Sequence, residues 1–176
     1  MVRLPRFDLR QLALVGALLV GAGCGGDGSS TGDGDEGGPT PVAIAASDGS
    51  SVRLADFAGT PLVVNMWATW CAPCVKEMPA FDEVATERGD EVHIIGVNVG
   101  DTADEAAAFA ADLGVTYPQY TDPDGVLSTE FGVTQLPATA FVDADGTVIE
   151  LRQGSYTADE LRSAIDDHFP TRGTQP

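Results

Sequence analysis

Basic residues are scarce in this 176-residue sequence, and acidic residues greatly outnumber them. Nine lysines and arginines stand against 27 aspartates and glutamates, which gives a formal net charge of −18. Lys76 is the only lysine, and no basic cluster exists outside the first ten residues. Because phosphate backbones bind through clustered positive charge, we expect no nucleic-acid partner.

Cysteine and histidine are also rare, which limits metal sites and disulfides. The sequence has three cysteines and two histidines. A zinc site usually needs four cysteine or histidine ligands. His93 falls within a predicted strand and His168 near the end of a predicted helix, so neither has ligand spacing and we expect no metal. Three cysteines also exclude the multi-bridge framework of small secreted domains.

No apolar run is long enough to span a bilayer comfortably, but a shorter one lies near the N-terminus. Residues 1–23 are predicted to be a signal peptide, because three arginines precede the apolar run 12–23. The ending "VGAGC" resembles a bacterial lipoprotein signal, although Gly21 stands where an apolar residue is usual. Cys24 would then be lipidated and hold the chain at the extracytoplasmic face of the membrane. The alternatives are secretion, a periplasmic location or an uncleaved anchor, with Cys24 a free thiol.

Two segments of biased composition flank the rest of the chain. Residues 24–41 are mostly Gly, Ser, Thr and Asp without apolar periodicity, which predicts a flexible linker. Residues 171–176 are predicted to be a disordered tail. We therefore expect one folded domain over residues 42–170.

Within that domain, predicted strands and helices alternate as in an α/β fold. Apolar runs predict buried strands at Leu62–Trp67 and Val92–Val99. A hairpin is predicted to join Val42–Ala46 to Ser51–Arg53. The other predicted elements are, in order, helices Ala72–Arg88 and Thr102–Leu113, strand Tyr117–Tyr120, helix Gly125–Phe131, strands Thr139–Val142 and Thr147–Arg152, and helix Thr157–Phe169.

Cys71 and Cys74 stand at the predicted junction between a strand and a helix. Zinc lacks further ligands, and a structural bridge over about four residues would contribute only about 2 kcal/mol through chain entropy. This position favours a redox-active pair over a zinc site or a structural bridge, because unpaired N–H groups at a helix N-terminus stabilise a Cys71 thiolate. Cys74, one turn further on, could then attack a mixed disulfide on Cys71. Pro73 suits the first helical turn.

The stretch "VVNMWATWCAPCVKEMP", followed by "QLPATAFVDADG", resembles the thioredoxin superfamily and in particular its extracytoplasmic TlpA/ResA-like branch. The resemblance covers about residues 42–169. It implies a thioredoxin fold with an N-terminal β-hairpin and an extra helix–strand insertion, here Thr102–Tyr120. It also implies a thiol–disulfide oxidoreductase without a cofactor, in which Cys71 is the nucleophile and Cys74 the resolving thiol.

The resemblance further suggests partners and a direction of electron flow. The substrates would be protein disulfides or dithiols, such as the haem-site cysteines of apocytochrome c. Outside the cytoplasm the electron donor would be a membrane thiol carrier. Pro73 resembles the reducing members of the family, which favours a reductase.

Two polar residues near the cysteine pair suggest a proton path. Glu77 falls on the apolar stripe of the predicted helix, so we expect a partly buried carboxylate with a raised pKa. We predict that Glu77 exchanges protons with Cys74 or tunes the pair; the alternative is an edge glutamate that reaches water. Asn65 occupies the strand position where classical thioredoxins carry a buried Asp. Since Asn cannot titrate, Glu77 is the natural substitute.

Residues outside the helix complete the predicted site. The resemblance implies a cis peptide bond before Pro137, opposite the cysteine pair. The backbone of Leu136 would then pair with an extended substrate segment, a form of strand addition. Trp70 is predicted to form an apolar lip beside Cys71, and Trp67 to be part of the core.

Two other classes of protein stay open at this point. One is a non-catalytic binding module that keeps the same fold. The other is a thiol peroxidase, since related redoxins share this core. Peroxidases usually show P-x-x-x-T-x-x-C, whereas Pro61 lies ten residues before Cys71 and Thr69 falls at the wrong offset.

Overall fold

The computed structural model describes residues 42–46 and 49–170. The predicted signal peptide, Cys24, the linker up to residue 41 and the tail at 171–176 lie outside the described residues. Among the helices of the described part, none is both long and apolar enough to cross a membrane.

Strands and helices alternate along the described residues, as the sequence predicts. A short 3-10 turn, Leu54–Phe57, is an addition that the periodicity does not predict; it buries Leu54 in the core. The strands are β1 (Ala43–Ala46), β2 (Ser51–Arg53), β3 (Leu62–Trp67), β4 (His93–Val99), β5 (Gln119–Asp122), β6 (Ala138–Val142) and β7 (Val148–Gln153). The α-helices are α1 (Ala72–Arg88), α2 (Ala103–Leu113), α3 (Val126–Glu130) and α4 (Ala158–His168).

These strands form one mixed sheet in the order β2-β1-β5-β4-β3-β6-β7. Strands β3, β4 and β5 are parallel, whereas β6 runs antiparallel to β3, and β7 to β6. The hairpin β1–β2 extends the other side of the sheet by antiparallel pairing with β5. This arrangement confirms the predicted α/β sheet with an N-terminal hairpin and the α2–β5 unit.

The two faces of the central strands bury different sets of side chains. Because side chains alternate along a strand, Val63, Asn65 and Trp67 of β3 share one face, and Thr139 and Phe141 of β6 stand on that same face. Helices α1 and α4 cover it. Its apolar core consists of Val63, Phe81, Val84, Val92, Ile94, Tyr117, Phe141, Tyr156, Leu161 and Ile165.

Strand β5 lies two residues further along the chain than predicted. The sequence favours a strand over Tyr117–Tyr120, but the Tyr117 N–H is already bound to Asp82 Oδ1 at 3.0 Å. Pro118 has no N–H to donate. The ladder with β4 therefore begins at Gln119, opposite Gly96.

Candidate active site

The cysteine pair lies where β3 gives way to α1. Cys71 is the N-cap residue of α1, and its Sγ accepts a hydrogen bond from the Cys74 N–H over 3.3 Å. The two residues form a disulfide, with their Cα atoms 5.3 Å apart. Cys71 is 5% exposed and Cys74 is fully buried. An incoming sulfur therefore reaches Cys71 first, and Cys74 can act only from inside.

The loop that carries Cys71 is held at two points. The Cys71 N–H donates to the Ala68 carbonyl at 3.1 Å, and the Thr69 N–H donates to Asp101 Oδ2 at 2.8 Å. Asn98 Nδ2 donates to the same Asp101 oxygen at 2.8 Å. Burial would raise the pKa of Asp101, but these hydrogen bonds outweigh it and lower that pKa. Asp101 is therefore a carboxylate that fixes the loop before the disulfide.

Glu77 is buried one turn after Cys74, as the helical periodicity predicts. Its side chain is 3% exposed. Oε1 accepts from Asn65 Nδ2 at 2.8 Å, and Oε2 accepts from the Tyr156 N–H at 2.9 Å. Burial raises the pKa of Glu77 to about 7, against the opposing effects of the two hydrogen bonds and the nearby Arg152 charge. The carboxyl group can therefore gain and lose a proton near neutral pH.

Polar contacts continue from Asn65 across the sheet. Tyr117 Oη donates to Asn65 Oδ1 at 3.1 Å, and burial raises the pKa of Tyr117 far enough to keep it neutral. Trp67 Nε1 donates to Gln119 Oε1 at 3.0 Å. Gly96 makes room for this contact, because a Cβ there would overlap the Gln119 amide.

The Leu136–Pro137 peptide bond is cis. Pro137 is buried, and Leu136 is half-buried against a cluster that contains Trp67, Cys71 and Cys74. This places the Leu136 segment beside the disulfide.

The remaining predicted site residues occupy the surface and the core. Trp70 is 71% exposed directly before Cys71, and Pro73 is exposed on the first turn of α1. Trp67 is buried, as expected. Within residues 42–46 and 49–170, no group of three or more His, Cys, Asp and Glu side chains is arranged to hold a metal ion.

Several residues of the site were not singled out by the sequence analysis. Tyr156, Tyr117 and Asp101 reach the site from distant parts of the chain, and each binds through hydrogen bonds that have no local pattern. Asn98 could have been identified from the sequence, because it is a strongly polar residue inside an otherwise apolar strand.

An α/β sheet that presents a slightly exposed cysteine at a helix N-terminus, bonded to a buried cysteine three residues on, defines a thiol–disulfide oxidoreductase. The chain belongs to the Redoxin family, whose model matches residues 33–166.

Individual relatives agree with this class. The thiol-disulfide oxidoreductase ResA of Geobacillus thermodenitrificans is 32% identical over 124 residues, which cover 70% of this chain and 71% of ResA. The thiol:disulfide interchange protein HelX of Rhodobacter capsulatus is 33% identical over 162 residues, 85% of this chain and 90% of HelX. A solved structure of MTB DsbF is 33% identical with a TM-score of 0.66, and the match covers 72% of this chain and 93% of DsbF. These similarities confirm the thioredoxin-like fold and the activity class.

Proposed function

We propose that this thiol–disulfide oxidoreductase reduces protein disulfides on the extracytoplasmic side of the membrane, where a lipid on Cys24 holds it. The signal-like N-terminus supports this location. So does a similar solved structure, the exposed lipoprotein thioredoxin Etrx1 of Streptococcus pneumoniae, at 28% identity and a TM-score of 0.61 over 72% of this chain and 98% of Etrx1. A linker over residues 24–41, as their composition predicts, would let the domain reach clients near the bilayer.

The reaction cycle moves two electrons from the cysteine pair to the client. The reduced Cys71 thiolate attacks a client disulfide, a mixed disulfide forms, and the other client sulfur leaves as a thiolate. Cys74 then attacks Cys71 Sγ, which closes the Cys71–Cys74 disulfide and releases the client as a dithiol. A membrane thiol carrier supplies the two electrons and protons that reopen the pair.

Glu77 takes the proton that Cys74 must lose before it attacks. The carboxyl group lies one helical turn from Cys74 and is almost completely buried from bulk solvent. Since burial raises its pKa to about 7, both forms are populated near neutral pH, which suits a group that accepts and returns a proton.

The surface around Cys71 is proposed to bind the client. The exposed Trp70 side chain offers an apolar lip, and Pro73 stands exposed one residue before Cys74. The backbone of Leu136 is proposed to pair with an extended client segment. Haem-site cysteines of an apocytochrome c, which are presented by an unfolded chain, suit such a surface.

One observation carries the proposal: a slightly exposed Cys71 caps α1 and is bonded to a fully buried Cys74. The test is a Cys74→Ser variant of the full chain, which should accumulate mixed disulfides through Cys71 because it cannot resolve them. Cys71→Ser is the matched control and should accumulate none. Equal trapping by both variants, or trapping by neither, would contradict the proposal.

Two further assays separate the alternative functions. Insulin disulfides should be reduced by the dithiol form, whereas a non-catalytic binding module would leave them intact. Peroxide should not be consumed with a thiol donor at a rate that depends on Cys71, whereas a peroxidase would consume it.

A further inference from the structure

Thr139 carries a buried hydroxyl for which the rest of the described chain provides no partner. The side chain is fully shielded, and Oγ1 forms no hydrogen bond with any described residue. Other buried polar side chains nearby, Asn65 and Glu77, are paired. A buried hydroxyl that is left unpaired destabilises a fold, so this one points to a small polar occupant beside it.

The register of the sheet places Thr139 between Asn65, which binds the buried carboxylate, and Arg152 on the edge strand. Thr139 of β6 lies opposite Asn65 of β3 on one side and opposite Arg152 of β7 on the other. Directly paired residues point to the same face, so the three side chains form a row beneath α1 and α4. Asn65 binds Glu77 at one end of the row. At the other end, Arg152 is half-exposed on the edge strand and stacks 4.0 Å over the Tyr156 ring.

The hydrogen bonds of Glu77 explain why such an occupant is needed. Both carboxylate oxygens accept, one from Asn65 Nδ2 and one from the Tyr156 N–H. Those two partners can only donate, which suits the ionised form. Once Glu77 is protonated, its O–H needs an acceptor that neither partner provides. Each oxygen of the ionised carboxylate can also accept a second hydrogen bond.

Glu77 is the group here whose charge changes near neutral pH, because the titratable groups around it keep their charge state. Arg152 of β7 carries a positive charge towards it, and Glu160 of α4 lies 3.8 Å from Arg152 at the outer end of the row. Burial raises the pKa of Tyr117 and of Tyr156, so both phenols stay neutral. Cys74, one turn earlier on α1, is held in the disulfide.

We propose that Thr139 Oγ1 and the Glu77 carboxyl group share an internal water molecule, which passes protons between Glu77 and the solvent beside Arg152. The water takes a proton from solvent and gives one to the carboxylate, and the reverse steps remove it, so no other reactant is involved. A water bound by Thr139 and Glu77 has the two or more polar partners that internal waters require. The inference rests on the proposed role of Glu77 as proton acceptor from Cys74.

Nuclear magnetic resonance on the full chain in its disulfide form tests the water directly. Magnetisation transfer should connect a long-lived water to protons of Thr139 and to the Tyr156 amide in the unaltered protein. Thr139→Ser, which keeps the hydroxyl, should retain the signal, and Thr139→Val, which keeps the shape, should lose it. Proton exchange at the Glu77 carboxyl, assigned by its loss in Glu77→Gln, should slow at least about tenfold in Thr139→Val.

The proposal is overturned if no long-lived water contacts Thr139 in the unaltered chain, a measurement that needs no variant. It is also overturned if Thr139→Val keeps both the water signal and the exchange rate. The proposed function fails separately: an unchanged pH profile of disulfide reduction in Glu77→Gln rejects Glu77 as the proton acceptor, whatever Thr139 binds.

Discussion

Asn65 donates from Nδ2 to Glu77 Oε1 over 2.8 Å, and this bond links the central strand β3 to helix α1 beside the disulfide. The amide cannot titrate, whereas burial raises the pKa of Glu77 to about 7. The strand therefore supplies a fixed donor, and the helix supplies the group that gains and loses the proton. In the proposed mechanism, control of Cys74 is thus divided between two elements that the Asn65–Glu77 bond holds together.

Glu77→Gln should flatten the pH dependence of disulfide reduction. Below about pH 7 Glu77 is mostly protonated and cannot accept the Cys74 proton, so the rate should rise through neutrality only when the carboxyl group is present. The release of the client from a mixed disulfide on Cys71 isolates this step, because Cys71 no longer has a free thiol. Its single-turnover rate, measured from about pH 6 to 8, checks the expectation. Glu130→Gln, at an exposed position of α3, is the control and should keep the original profile. A Glu77→Gln profile that still rises through neutrality would contradict the expectation.

The same raised pKa predicts how stability depends on pH. An acid whose pKa is higher in the folded state than in the unfolded chain favours folding while it stays protonated. The stabilisation is therefore complete below about pH 4.5 and is lost as pH rises through about 7. The loss amounts to at most about 3.5 kcal/mol, since the pKa of Glu77 differs by about 2.5 between the two states and each pKa unit corresponds to about 1.4 kcal/mol.

Chemical denaturation of the disulfide form at several pH values tests this dependence. The free energy of unfolding of the unaltered chain should decrease as pH rises from about 4.5 to about 7. Glu77→Gln should remove most of this pH dependence. Glu130→Gln serves again as the control. Parallel curves for Glu77→Gln and the unaltered chain would show that Glu77 is not responsible.

The burial of Glu77 could be predicted because its neighbours are on its own helix. A period of 3.6 residues places it in one stripe with Cys74, Met78 and Phe81, and the structure buries that stripe. The residues that bind Glu77 could not be predicted in the same way. Tyr156 is 79 residues away along the chain, and its contact is a backbone N–H, which any residue could provide.

The register of the sheet could likewise not be predicted from local sequence patterns. Apolar runs locate β3 and β4 well, but the start of β5 depends on Asp82, a residue of α1, which binds the Tyr117 N–H. The row that joins Asn65, Thr139 and Arg152 exists only once three strands are paired. Thr139 looks like an ordinary strand residue in the sequence, and only its unpaired hydroxyl in the folded chain distinguishes it.

Asp101→Ala should loosen the loop that carries Cys71. Asp101 accepts from the Thr69 N–H and from Asn98 Nδ2, so its removal leaves two donors unpaired. We expect a loss of about 1–3 kcal/mol in the free energy of unfolding and a slower disulfide reduction. Asp101→Asn keeps an acceptor oxygen and should lose less of both.

Asp90→Ala, at an exposed position after α1, is the control for general effects of losing a negative charge. It should leave the stability and the rate close to those of the unaltered chain. If Asp101→Ala resembled Asp90→Ala in both measurements, the clamp on the loop would have no role in either property.

Gly96→Ala should disturb Trp67 from a distance. A Cβ on Gly96 would overlap the Gln119 amide, which accepts the Trp67 Nε1–H bond at 3.0 Å. Gln119 must then move, and the buried indole N–H is left without its acceptor. We expect a loss of about 1–3 kcal/mol in the free energy of unfolding, with a shift in Trp67 fluorescence.

A double-mutant cycle shows whether the loss passes through Gln119. Gln119→Ala alone already removes the acceptor and also makes room for the new methyl group. Adding Gly96→Ala to Gln119→Ala should therefore cost clearly less than Gly96→Ala in the unaltered chain, because the two residues share one contact. Additive losses would mean that Gly96 is required for a reason other than space for the Gln119 amide. In that case the Trp67–Gln119 hydrogen bond would not depend on the absence of a side chain at position 96 of β4.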